Sequence, residues 1–203
     1  MEAAADKEET GQTGRDAVFS LLIRPTAYLK QAVEELPSFV PLAVIFIAGF
    51  FQILSVLVLR APSHGLSSFS LTAGLFMHLA GKAVILLGAA IVIHFFAATF
   101  NRTGSGWRLF SLFLVCQLPY IFLLPVSLLA RAFPAGGWLV YYFFAALLTL
   151  WCIVLSVAAI KENYRISAAR AALAFAFPLL LASVSWPLML SHTVFKLLLH
   201  LAP

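Results

Sequence analysis

The sequence predicts an all-α fold, a polytopic transmembrane bundle of about five helices with an N-terminal amphipathic interfacial helix. Charged residues make up only 10% of the chain and hydrophobic ones 63%, whereas a soluble domain carries about a quarter charged residues. A water-facing surface cannot be assembled from that supply. The apolar residues fall in runs of about twenty, the length that crosses a hydrocarbon core of roughly 30 Å. Ahead of them, a short segment repeats apolar positions at helical spacing on one side and charges on the other.

Residues 1–15 mix acids and bases, with Glu2, Asp6, Lys7, Glu8, Glu9 and Arg15, and contain no aromatic. Such a stretch buries too little apolar surface to offset the entropy of ordering, so a disordered tail is expected. Its acids fit neither a signal-peptide n-region nor a transit peptide, and no cleaved targeting segment is expected. The first apolar run is longer than a signal-peptide core and is expected to stay as an anchor.

Residues 16–36 form the amphipathic unit. Phe19, Leu22 and Arg24 open it, and Pro25 stands at a favourable first helical position. Tyr28, Leu29, Val33 and Leu36 then share one side, opposite Lys30, Gln31, Glu34 and Glu35. This pattern suits a helix in the headgroup layer, where Arg24, Lys30 and Tyr28 meet lipid. Packing of the same helix on the ends of the spans is the alternative.

The remaining residues, 37–203, form the membrane domain, with spans expected at 38–59, 79–100, 109–130, 138–160 and 171–190. Lys82 would cost about 3 kcal/mol at a helix centre. It is therefore expected near the outer end of the second span, with its ammonium in the headgroups and residues 67–78 as a surface segment or helical extension. Pro119 and Pro125 predict kinks in the third span. Trp138, Tyr141 and Tyr142 look like an outer aromatic belt and Trp107 like an inner one. The tail 191–203 is too short to cross. Five spans do not divide into two equal inverted halves, which lowers the case for an inverted-repeat transporter.

The candidate polar positions within the membrane are His78, Lys82, His94 and Gln117. His78 and Lys82 stand four apart on one helix face, the arrangement of a proton relay, but every Asp and Glu except Glu162 precedes the first span. Intramembrane relays pair bases with carboxylates, so interfacial snorkelling is the plainer reading. Gln117 needs a partner in hydrocarbon, with an interhelical hydrogen bond as the first expectation and a substrate contact as the second. Ala168, Ala172 and Ala176, spaced by four, are the candidate helix-packing face, within the bundle or between copies in a homo-oligomer.

Catalytic signatures are missing: there is no zinc-binding His-Glu-x-x-His helix, nucleophile elbow, Walker loop or intramembrane aspartate pair. No catalytic, metal or cofactor residue is therefore assigned. Cys116 and Cys152 sit in apolar runs as small hydrophobes. The net charge of +5 is spread through short loops, which argues for topology signals and against nucleic acid.

Several stretches resemble the Yip family, the Ypt/Rab-interacting membrane proteins, and its bacterial members most. They are Leu22-Ile23-Arg24-Pro25 with the amphipathic helix, Gln117-Leu118-Pro119-Tyr120 in the kinked third span, Trp151 through Ala158-Ala159-Ile160-Lys161-Glu162, and the turn Tyr164-Arg165-Ile166-Ser167-Ala168-Ala169-Arg170-Ala171. The resemblance runs from Phe19 to Leu190. It implies five spans, a cytoplasmic N-terminus and, for eukaryotic relatives, roles in vesicle traffic, membrane shaping and binding of prenylated small GTPases. The N-terminal region has no counterpart of the family's Asp-Leu-Tyr-Gly-Pro segment, so GTPase binding does not carry over. The expected function is non-enzymatic organisation of membrane lipid or of membrane and peripheral protein partners, with a small transporter or channel subunit as the alternative. The implied location is a bacterial inner membrane.

Lys7, Arg15, Arg24 and Lys30 precede the first span, Arg102 and Arg108 follow the second, and Lys161, Arg165 and Arg170 follow the fourth. The other side has Arg60, Arg131 and Lys196. The positive-inside rule then predicts a cytoplasmic N-terminus and an external C-terminus. Reporters inserted after Gly14 or between Gly104 and Gly106 should read cytoplasmic, and one after Pro203 external; the opposite pattern would refute the charge argument.

Overall fold

A computed structural model describes residues 25–37, 39–60, 68–101, 103–133, 136–178 and 180. All regular structure among them is helical: α1 (Pro25–Glu35), α2 (Phe39–Arg60), α3 (Ser68–Phe100), α4 (Gly106–Val115), a 3-10 segment (Leu118–Phe122), α5 (Leu123–Arg131) and α6 (Gly137–Tyr164). A shorter apolar helix, α7 (Ala168–Pro178), follows. Four stretches are long and apolar enough to cross a bilayer: Phe39–Leu59, Thr72–Phe100, Gly106–Arg131 and Gly137–Tyr164. Phe19, Leu22, Arg24, the expected disordered tail, residues 181–190 of the expected fifth span and the tail 191–203 lie outside the described residues.

Two spans are longer than expected. α3 runs unbroken from Ser68, so the residues ahead of the expected start at 79 are a helical extension. α6 continues past Ile160 to Tyr164 and ends where Arg165 turns left-handed, at φ 52°. The amides of Arg165 and Ile166 both close onto the Lys161 carbonyl, a C-terminal cap that satisfies an orphan acceptor. The abrupt reversal aims Ile166 back into the core, where it is buried.

The third crossing is broken in its middle. Pro119 has no N–H to continue the α ladder and disfavours helical geometry at Leu118. The last regular bond is Cys116 N to Leu112 O at 2.9 Å; Gln117 N then shifts to Leu114 O at 3.2 Å, and Tyr120 N bonds Gln117 O at 3.1 Å. That shift strands the Phe113 carbonyl. The buried Gln117 side chain takes it up, Nε2 donating at 3.4 Å. The expected interhelical bond of Gln117 is thus replaced by one within its own turn, because the kink frees an acceptor there.

Packing follows from these elements. α2 lies against the 3-10 segment and α5, α4 is wedged among α2, α3 and α6, and α1 lies on α6 and α4. Leu29 and Ala32 of α1 are buried with Leu112, Cys116, Leu155 and Ala159. The apolar face of α1 therefore meets protein rather than lipid alone, the alternative weighed for this segment. Burial there, with Cys116 adding to it, holds the Tyr28 phenol above its usual range. Asn101, residues 103–105 and the turn 165–167 share one end of the bundle with Arg108, Lys161 and Arg170, and this is termed the basic end.

In α7 the residues facing the bundle are Ala171 and Ala174, both fully buried. Ala168 and Ala172 are exposed and Ala176 is half-buried, so the small-residue contact within the chain lies beside the expected stripe. The rotation of α7 is set by its aromatic neighbour: Phe177 stacks on Phe96 of α3, centroids 4.3 Å apart and planes at 8°. Tyr141 also departs from expectation. It is buried, its hydroxyl 3.2 Å from Ser55 Oγ, while Tyr142 stays exposed with Trp138 stacked against it.

Replacing Ala171 or Ala174 by Leu should cost about 1–3 kcal/mol through overpacking, and Ala172→Leu much less. Thermal unfolding in detergent followed by circular dichroism checks this; equal losses at all three positions would contradict the assigned face.

Candidate functional site

Two polar clusters interrupt the apolar bundle, one along its side and one at the basic end. The lateral cluster grows from α3, where Met77, His78, Gly81, Lys82 and Ile85 recur at one to four residues and so share a face. Opposite stands Gln52 of α2. Its Oε1 lies 3.0 Å from His78 Nε2 and 3.0 Å from Lys82 Nζ. An ammonium only donates, so the amide oxygen must face it, and the same oxygen then requires a proton on His78 Nε2.

Tyr120 of the 3-10 segment closes the cluster. Its ring lies under the Lys82 ammonium, 4.4 Å from nitrogen to centroid, a favourable cation–π distance. Its hydroxyl is 3.1 Å from Thr149 Oγ1 of α6. Together Gln52, His78, Lys82 and Tyr120, with Met77, Gly81 and Ile85, line an open groove of about 410 Å³.

Lys82 lies just past the expected start of the second span at 79, and within the chain its ammonium meets Gln52 and Tyr120. It stands fourteen residues from Ser68 and eighteen from Phe100, about 21 and 27 Å along the axis, and the chain supplies its partners. Its nearest helical neighbour on α2, Gln52, sits above Gly49, where a side chain would run into Leu79. That close approach lets the two helices bring amide and ammonium together.

His94 belongs elsewhere. Twelve residues beyond Lys82, about 18 Å along α3, its Nδ1 lies 2.5 Å from the Tyr164 hydroxyl. Tyr164 is fully buried and gathers the basic end. Its carbonyl accepts from Asn101 Nδ2 at 2.8 Å and from Thr103 Oγ1 at 3.4 Å. Neighbouring Asn163 donates from Nδ2 to the Ser105 carbonyl at 3.0 Å. Gly104 rests on the Tyr164 ring so closely that an added Cβ would enter it, and a Cβ on Gly106 would come within 3.1 Å of the His94 ring.

The expected sites therefore separate. His78 and Lys82 meet; His94 and Gln117 serve the fold locally. Gln52, Tyr120 and Tyr164 were not singled out in the sequence. Gln52 had a signal, an amide inside the first apolar run, but its partners lie 26 and 30 residues away. Among the described residues no three His, Cys, Asp or Glu side chains are grouped to hold a metal ion.

The sequence matches the Yip1 domain over residues 19–189, most of the chain. It belongs to the Yip1 domain family. No curated protein and no solved structure matches it. With four crossings of adequate length and apolarity, this Yip1-domain protein is an integral membrane protein.

The close seat of Gly104 on Tyr164 makes a test of the basic-end cluster of this Yip1-domain chain. Gly104→Val should destabilise it by about 2 kcal/mol, because a buried ring must move. Gly136→Val, where nothing lies within 4 Å, should change stability little. Equal effects in a detergent melting experiment would remove Tyr164 from its central role.

Proposed function

We propose that this Yip1-domain protein is a non-enzymatic organiser of membrane lipid or partner proteins, placed in a bacterial inner membrane with its basic end in the cytoplasm. The supporting observation is the docking of α1. Leu29 and Ala32 pin it to α6 and α4, and Tyr164 ties the 101–105 connection to the same end of the bundle. The result is a preformed face of helix and loops carrying Lys30, Arg108, Lys161 and Arg170, of which Lys161 is paired with Glu162 at 3.0 Å. A fixed basic surface at a bilayer suits acidic lipid or a peripheral protein.

A second reading, a small transporter or channel subunit, draws on the lateral groove, since a cation well inside a crossing often marks a pathway. The two readings separate in proteoliposomes. Wild type, Lys82→Met and His94→Ala should all show no flux of protons or common metabolite ions above empty liposomes. A pH-dependent flux in wild type that both substitutions abolish would overturn the organising reading.

A further inference from the structure

We propose that the groove between α2 and α3 is a binding site for the anionic headgroup of a lipid, held through Lys82. The inference rests on the organising reading and names the lipid class that it would act on. Its basis is an imbalance between donors and acceptors. Lys82 offers three N–H groups, of which the structure engages one with Gln52 Oε1 and turns the ammonium over the Tyr120 ring. Gln52 Oε1 is shared by both bases, and the two N–H of Gln52 Nε2 then point away from that shared oxygen. Donors outnumber acceptors, and among the described residues no carboxylate pairs with Lys82: the one carboxylate side chain that follows α2 in the sequence, Glu162, pairs with Lys161. An anionic oxygen group supplies both what is missing, the charge and the lone pairs.

The setting selects a lipid over a soluble anion. The groove is open along its side, and its apolar members Met77 and Ile85 are 71% and 72% exposed on the outer face of α3. An acyl chain can lie along them while the headgroup enters at Gly81, whose missing side chain leaves open space. The groove, open along its side, offers about 410 Å³ of space.

The test is intact-protein mass spectrometry of the full chain released from detergent in the presence of phosphatidylglycerol, phosphatidylcholine or inorganic phosphate. Wild type should retain phosphatidylglycerol over phosphatidylcholine by about tenfold or more, as loss of a desolvated charge pair implies. Lys82→Met should abolish the preference and Lys82→Arg keep it. Gly81→Leu leaves every charge in place, and a Cβ there meets nothing within 4 Å, so it should fold and still lose the lipid by filling the groove. Retention unchanged in Lys82→Met and Gly81→Leu would overturn the site. Displacement of the lipid by inorganic phosphate at equal concentration would overturn the choice of a lipid. Flux plays no part in these readouts, so a failure here leaves the organising reading standing, and a measured flux leaves this site to be judged by retention alone.

Discussion

Inside a hydrocarbon layer a polar group has no water to fall back on, so the chain must provide a partner for every one it carries across. Most features of this protein that are more than apolar packing follow from that constraint. The break at Pro119 strands a carbonyl, and Gln117 two residues earlier reaches back for it. Ser55 and Tyr141 share a bond between α2 and α6, and serines 127 and 156 return their hydroxyls to carbonyls of their own helices. Lys82 is the severest case, and it is met by an amide and an aromatic face rather than by a carboxylate.

The same constraint divides the molecule into two functional levels. At the basic end, Asn101, Thr103 and the Ser105 carbonyl, all from the connection between α3 and α4, bond to Tyr164 and Asn163, which fixes that short loop on the end of α6. Along the side, the bonds of Gln52 to His78 and Lys82 hold a groove in a definite shape. The first level explains how a small chain presents a rigid surface to partners. The second supplies an acceptor and an aromatic face to a cation on an apolar helix, where one without partners is disfavoured.

The four crossings among the described residues were legible in the sequence because run length and hydropathy are local properties. Pro119 announced the kink for the same reason. Partnerships across helices were not. Nothing local tells Gln52 that Lys82 lies opposite, so an acceptor for the ammonium other than a headgroup is not visible in the sequence. The alanine stripe of α7 shows a related limit: spacing by four identifies a candidate face, but Phe177 on Phe96 decides which way the helix turns. α1 was correctly amphipathic, yet amphipathicity does not distinguish lipid from the flank of a bundle. Tyr164 gave no sign beyond its place at the end of an apolar run.

A double-mutant cycle between Lys82 and Gln52 measures whether the ammonium is held by partners within the chain. Gln52→Leu leaves the ammonium without its acceptor and should destabilise the folded protein by about 2 kcal/mol. Lys82→Met should cost little in the wild-type background, where His78 still occupies the amide oxygen, and should restore stability when Gln52 is already Leu. A Lys82→Met effect of the same sign and size in both backgrounds would show that the two side chains do not depend on each other and would contradict the account.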